Sequence, residues 1–183
     1  MQERLKNDFY PTPERLTKSL LTFFQPDGIV LEPCAGDGAI VNVLKNESMI
    51  KNVITNDIVN GKAQHCFDAT QRNLYDSIGK VDYVVTNPPF SQPDCQQIID
   101  RCWDKVECGM AFLLRLTYLE PCGNRASFLK NTNLSKLIIF NPRPRFREDT
   151  KGSDNCTVAW FVWEKRDTKN GTSVIFETNW RDR

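Results

Sequence analysis

Four apolar runs in the first half of this chain each end on an amide or carboxylate side chain. Residues 29–31 run into Glu32, residues 53–55 into Asn56-Asp57, a weaker run at 66–67 into Asp68, and residues 81–86 into Asn87. Nearly continuous apolar runs are expected of strands buried on both faces. Strands alternating with helices build a parallel sheet covered on both sides, connected by right-handed crossovers. In such a sheet the ligand crevice lies outside the carboxyl ends of the strands, so the four polar ends should converge there.

The remaining elements extend the same layer. Thr12-Pro13 reads as a helix start, with Thr12 as N-cap and Pro13 at the first helical position. Leu16, Leu20, Leu21 and Phe24 then recur at helical spacing until Pro26-Asp27-Gly28. Cys95, Ile98, Ile99, Cys102, Trp103 and Val106 mark one buried helix face. Strands over 110–116, 137–140 and 158–163, with a helix around 125–130, complete the pattern. The expectation is an α/β fold: one doubly wound, mostly parallel seven-stranded sheet in a single domain over residues 1–183.

Composition narrows the function classes. The 183 residues, 40% hydrophobic and 26% charged, suffice for one packed domain. No apolar run approaches the ~20 residues of a membrane helix. The polar start Met1-Gln2-Glu3-Arg4 shows no secretion signal, so a cytoplasmic protein without a membrane partner is expected. The seven cysteines lack zinc-knuckle or dithiol spacing and read as reduced thiols. A lone histidine, His65, excludes a multi-histidine metal site, and no metal is implied.

Three motifs carry chemistry. In Glu32-Pro33-Cys34-Ala35-Gly36-Asp37-Gly38 the two glycines allow a sharp turn and a close approach to a ligand. On their own they fit a plain tight turn better than a ligand loop. Asp57 lies 21 residues beyond Gly36, where an acid accepts hydrogen bonds from ribose hydroxyls. In Asn87-Pro88-Pro89-Phe90 the prolines stiffen the backbone behind Asn87. The Asn87 amide oxygen and the Pro88 carbonyl then offer two acceptors to an amino group, and Phe90 offers a stacking face for a base.

With these residues the chain resembles the S-adenosylmethionine-dependent amino-methyltransferases, most closely the N6-adenine DNA enzymes. Asp8-Phe9-Tyr10-Pro11-Thr12-Pro13 resembles the segment that closes over the cofactor, within an N-terminal part spanning residues 1–27. The stretch from Glu32 to Gly38 is similar to the family's glycine motif, and Asn87-Pro88-Pro89-Phe90 to its catalytic tetrapeptide. The resemblance implies S-adenosylmethionine as cofactor. It implies contacts to that cofactor from Tyr10, Pro11, Thr12, Glu32, Cys34, Ala35, Gly36, Gly38, Asp57, Ile58, Asp68, Ala69 and Asn87. The motif order resembles the gamma arrangement. The same tetrapeptide occurs in guanine-N2 RNA enzymes and in protein-glutamine methyltransferases, so RNA and protein remain alternative substrates, as does a non-enzymatic nucleotide-binding module.

The net charge of +1 hides a basic window. Between Glu120 and Glu148 lie Arg125, Lys130, Lys136, Arg143, Arg145 and Arg147 and no acid. Arg143, Arg145, Phe146 and Arg147 fall in a proline-stiffened stretch, which makes residues 141–156 a candidate substrate loop contacting DNA. The alternative is an ordinary long hairpin loop. Little sequence follows the last expected strand, so a small form without the large target-recognition domain that such enzymes often carry is expected, which leaves room for a partner chain or a homodimer in target recognition.

Overall fold

The structure, a computed structural model, describes residues 11–146, 156–165 and 171–183. Among these residues seven strands form one sheet: β1 (Gly28–Glu32), β2 (Ile50–Thr55), β3 (Val81–Thr86), β4 (Val106–Arg115), β5 (Leu134–Phe140), β6 (Val158–Glu164) and β7 (Ser173–Glu177). Their spatial order is β2-β1-β3-β4-β6-β5-β7. The pairings β1–β2, β1–β3, β3–β4 and β5–β7 are parallel, whereas β6 runs antiparallel to both β4 and β5. The sheet is therefore mixed, with a single reversed strand inside an otherwise parallel layer.

Helices cover both faces, which is why the strands need no polar alternation. Along β4, Met110, Phe112 and Leu114 face one core while Ala111 and Leu113 face the other. The first core takes Leu74 and Tyr75 of α3 (Arg72–Ile78) and Cys95, Ile98, Ile99 and Cys102 of α4 (Asp94–Lys105). The second takes Leu16 and Leu20 of α1 (Glu14–Phe23) and Ile40, Val41 and Leu44 of α2 (Ala39–Leu44). Phe128 and Leu129 of α5 (Gly123–Asn131) pack at the border of the first core. The Trp160 indole, buried in β6, donates from Nε1 to the Leu16 carbonyl at 2.9 Å and ties α1 to the sheet.

Four expectations need correction. Residues 66–67 form no strand; an isolated bridge joins Asn56 to His65. The Asn56 side chain replaces the missing ladder: its Oδ1 accepts from Phe67 N at 2.9 Å and its Nδ2 donates to Phe67 O at 3.0 Å. The count of seven is recovered by β7, which the sequence reading omitted. Its Val174 and Phe176 are 53% and 68% exposed, so it carries the weak pattern of an edge strand. Val106 belongs to β4, not to the preceding helix. Pro13, not Thr12, precedes the first helical residue, Glu14, and no side chain caps that end.

The antiparallel pair β4–β6 is tight at one point. A Cβ built on Gly109 would lie 2.7 Å from the Trp163 carbonyl oxygen. Backbone atoms of a central strand cannot give way cheaply, so Gly109→Ala should cost about 1–3 kcal/mol. A urea midpoint equal to that of the parent would show that the strands separate freely there.

Candidate active site

The chain reverses direction across β1: it leaves β1 for β2 on one side and returns to β3 on the other. A crevice opens at that reversal. A cavity of about 480 Å³ fills it, which suits a ligand of nucleoside size. Its walls include Pro11, Thr12, Cys34, Ala35, Gly36, Asp57, Ile58, Asp68, Ala69, Asn87, Pro88, Pro89 and Phe90. Segments separated by tens of residues in sequence thus meet at one sheet edge. Phe67, Lys62, Asp94 and Ile98 also line it, although the sequence reading did not assign them to the site. Tyr10 lies outside the described residues.

Two expected contact residues do not form walls. Gly38 precedes α2 at φ +85°, a left-handed conformation that glycine adopts without strain, and its role is the turn. Glu32 is fully buried beneath the glycine loop. Its Oε1 accepts from Cys34 N at 2.9 Å and from Thr86 Oγ1 at 2.5 Å, while Oε2 has no hydrogen-bond partner among the described residues. Burial pushes the Glu32 carboxyl up to about 8, with a smaller push from the charge of Asp57, against the opposing effect of the two hydrogen bonds.

Asp57 has two backbone partners. Oδ2 accepts from Gly36 N at 2.7 Å and Oδ1 from Val59 N at 2.8 Å. Each carboxylate oxygen retains a further acceptor direction, so the same group can order the glycine loop and accept ligand hydroxyls. Asp68 Oδ1 accepts from Thr70 N at 2.9 Å and Thr70 Oγ1 at 2.7 Å. Buried Asn56, which the sequence marks only as a strand end, links these pieces. Its Nδ2 donates to Pro33 O at 2.9 Å as well as to Phe67 O.

Asn87 Nδ2 donates to Thr12 Oγ1 at 3.0 Å, across 75 residues. Thr12, 6% exposed, thus serves the tetrapeptide instead of capping a helix. Phe90 borders the cavity and carries the Arg115 guanidinium, whose carbon lies 5.3 Å from the ring centroid. His65 stacks on Phe67 and does not line the cavity.

The basic window is less uniform than its sequence suggests. Lys136 forms an ion pair with Glu164 across the β5–β6 pair, so it is a compensated charge. Arg125 lies over the Tyr118 ring, 5.4 Å from its centroid. Arg143 and Arg145 are exposed beyond β5. Phe146 is partly buried against the core under α1, and Arg147 lies outside the described residues. Trp180, near the end of the chain, donates from Nε1 to Pro142 O at 2.9 Å and anchors the start of this segment.

A doubly wound sheet with a nucleoside-sized crevice and an Asn-Pro-Pro-Phe loop defines the class of fold. No protein-family model matches the chain, and no curated protein matches it in sequence. Among solved structures it is similar to the methyltransferase subunit of a type I restriction-modification system from Streptococcus thermophilus. The identity is 12% and the TM-score 0.67, over 91% of this chain and 47% of that one. A class I S-adenosylmethionine-dependent methyltransferase, described as putative, from Listeria monocytogenes gives 11% identity and a TM-score of 0.65 over 92% and 66%. An RNA methyltransferase from Pyrococcus horikoshii, also described as putative, gives 14% and 0.64 over 86% and 88%. The fold is that of the class I S-adenosylmethionine-dependent methyltransferases. The chain spans about half the length of the Streptococcus subunit. No helix among the described residues is long and apolar enough to cross a membrane.

The Glu32 carboxyl makes stability depend on pH. Its folded value lies near 8, above its ordinary 4.5, so the folded state holds a proton that the unfolded state releases. Stability should therefore fall as pH rises from about 4.5 to about 8, by a few kcal/mol. Glu32→Gln keeps a neutral isostere and should flatten that dependence in thermal melts without ligand. Parallel pH profiles for parent and variant would contradict the buried neutral carboxyl.

Proposed function

We propose that this chain transfers a methyl group from S-adenosylmethionine to the exocyclic N6 amine of adenine in DNA. The observation that carries the reading is the placement of Asn87, anchored by Thr12, on the wall of the cavity formed by the glycine loop and Asp57. The residues fit the cofactor on the structure's own terms. The Asp57 carboxylate suits ribose hydroxyls, and Ile58, Ala69 and Ile98 give the cavity apolar walls for a purine.

Bound S-adenosylmethionine supplies an electrophilic methyl on a sulfonium. The chain's own residues act on the other reactant. The adenine amine is conjugated with its ring and poorly nucleophilic. Asn87 Oδ1 and the Pro88 carbonyl accept its two hydrogens, draw the nitrogen toward tetrahedral geometry and stabilise the positive charge that develops on it. The Thr12 bond orients the Asn87 amide with its NH2 group turned to Thr12. The excess proton passes to solvent after transfer, and no strong base is required. In duplex DNA the adenine must first leave the stack.

RNA is the second reading, favoured by the similarity to the Pyrococcus protein, which is described as an RNA methyltransferase. Methyl transfer from labelled cofactor to matched DNA, RNA and protein pools tests the choice. Label on DNA adenine is the expected result.

Two substitutions separate cofactor binding from chemistry. Asp57→Ala should weaken cofactor binding by about 1.5–3 kcal/mol, the scale for hydrogen bonds to a charged group. Calorimetry that returns an unchanged affinity for the folded variant would exclude this ribose contact. Asn87→Ala should still bind cofactor yet lose about 10²-fold in single-turnover methyl transfer. A rate within threefold of the parent would sink the mechanism.

A further inference from the structure

Arg115 ends β4, three residues beyond Phe112, the partner of Thr86 in β3. It therefore stands beside the loop that begins at Asn87. Its guanidinium lies over the ring of Phe90. Phe90 borders the cavity and Arg115 does not, so the ring separates the cation from the cofactor crevice. On its other side Arg115 pairs with Val158, and the next amide, Leu116 N, donates to Thr157 O at 3.0 Å. Arg115 thus sits between the tetrapeptide and the end of the segment that joins β5 to β6.

Its chemistry is unfinished. The Nε atom is buried and has no acceptor among the described residues, and no carboxylate among them pairs with the guanidinium. A desolvated donor without an acceptor is costly unless a ligand supplies one. Nε–H and a terminal N–H form the side-on pair that fits two oxygens of one phosphate. Phe90 holds this guanidinium in place beforehand, so less freedom is lost when an anion docks.

We propose that Arg115 binds a backbone phosphate of the target nucleotide and so holds the extruded base at the Asn87–Phe90 loop. This rests on the nucleic-acid reading of the site given above. Arg115 then contacts the substrate from across the Phe90 ring, away from the cavity that Asp57 lines.

The test is binding of a short duplex containing target adenine at several salt concentrations, for the parent, Arg115→Gln and Arg115→Lys. Calorimetric cofactor titration and single-turnover methyl transfer accompany it. Arg115→Gln should weaken duplex binding about tenfold and make the slope of log affinity against log salt shallower by about 0.9, the value for one lost phosphate contact. Arg115→Lys keeps the charge and should keep the slope, with an intermediate affinity because the side-on pair is lost. Cofactor affinity should not change in either variant. If the parent methylates DNA and Arg115→Gln leaves the slope unaltered, the phosphate contact is overturned and the function stands. Equal loss of cofactor affinity in both variants would also overturn it, because Arg115 would then only support Phe90. If the parent methylates neither DNA nor RNA, both the contact and the functional reading fail.

Discussion

One buried oxygen sets the relation between the two loops that matter most. Glu32 Oε1 takes the Cys34 backbone amide from the glycine loop and the Thr86 hydroxyl from the residue before Asn87. The loops follow neighbouring parallel strands, and the strand pairing alone would leave their tips to vary independently. A shared acceptor sealed from water couples them, and in a low-dielectric setting that coupling is strong. Asn56 does the same on the other flank, joining Pro33 of the glycine loop to Phe67. The cavity floor is thus a polar network beneath an apolar sheet edge.

The sheet makes this arrangement necessary. Strands such as β4 and β6 are buried on both faces, with successive side chains assigned to opposite cores. Polar chemistry has no place along such strands without unpaired donors and acceptors. It moves to their ends, where a topological reversal leaves a gap between crossovers. Pro11 and Thr12 then line one side of the gap. Trp160 holds α1 to the sheet, and Thr12, just before that helix, reaches Asn87.

Legibility in the sequence followed how local each signal was. The Glu32, Asp57 and Asn87 strand ends were readable because a buried strand that stops on a polar residue is unusual over a few residues. The segment at 66–67 failed that reading, since a single side-chain amide supplies the bonds that a ladder would have made. Strand β7 escaped because its Val174 and Phe176 side chains are exposed and its apolar run is only three residues long. Lys136 looked like part of a cationic surface, but its partner Glu164 is 28 residues away on the adjacent strand. Arg115 carried no sequence signal at all: a lone arginine after an apolar strand acquires meaning only from the ring it lies on.

By itself the sequence determined the layer architecture, the positions of the loops and the kinds of group they carry, because strand burial, turns and stacking are written in short-range patterns. The tertiary structure decided which of those groups meet. It turned Thr12 from a helix cap into a support for Asn87, and it buried Glu32 as a tie instead of a wall. It also placed β6 antiparallel among parallel strands. The first two outcomes depend on contacts between residues 75 and 54 positions apart, and all three exist only once the crossovers have stacked the strands in their spatial order.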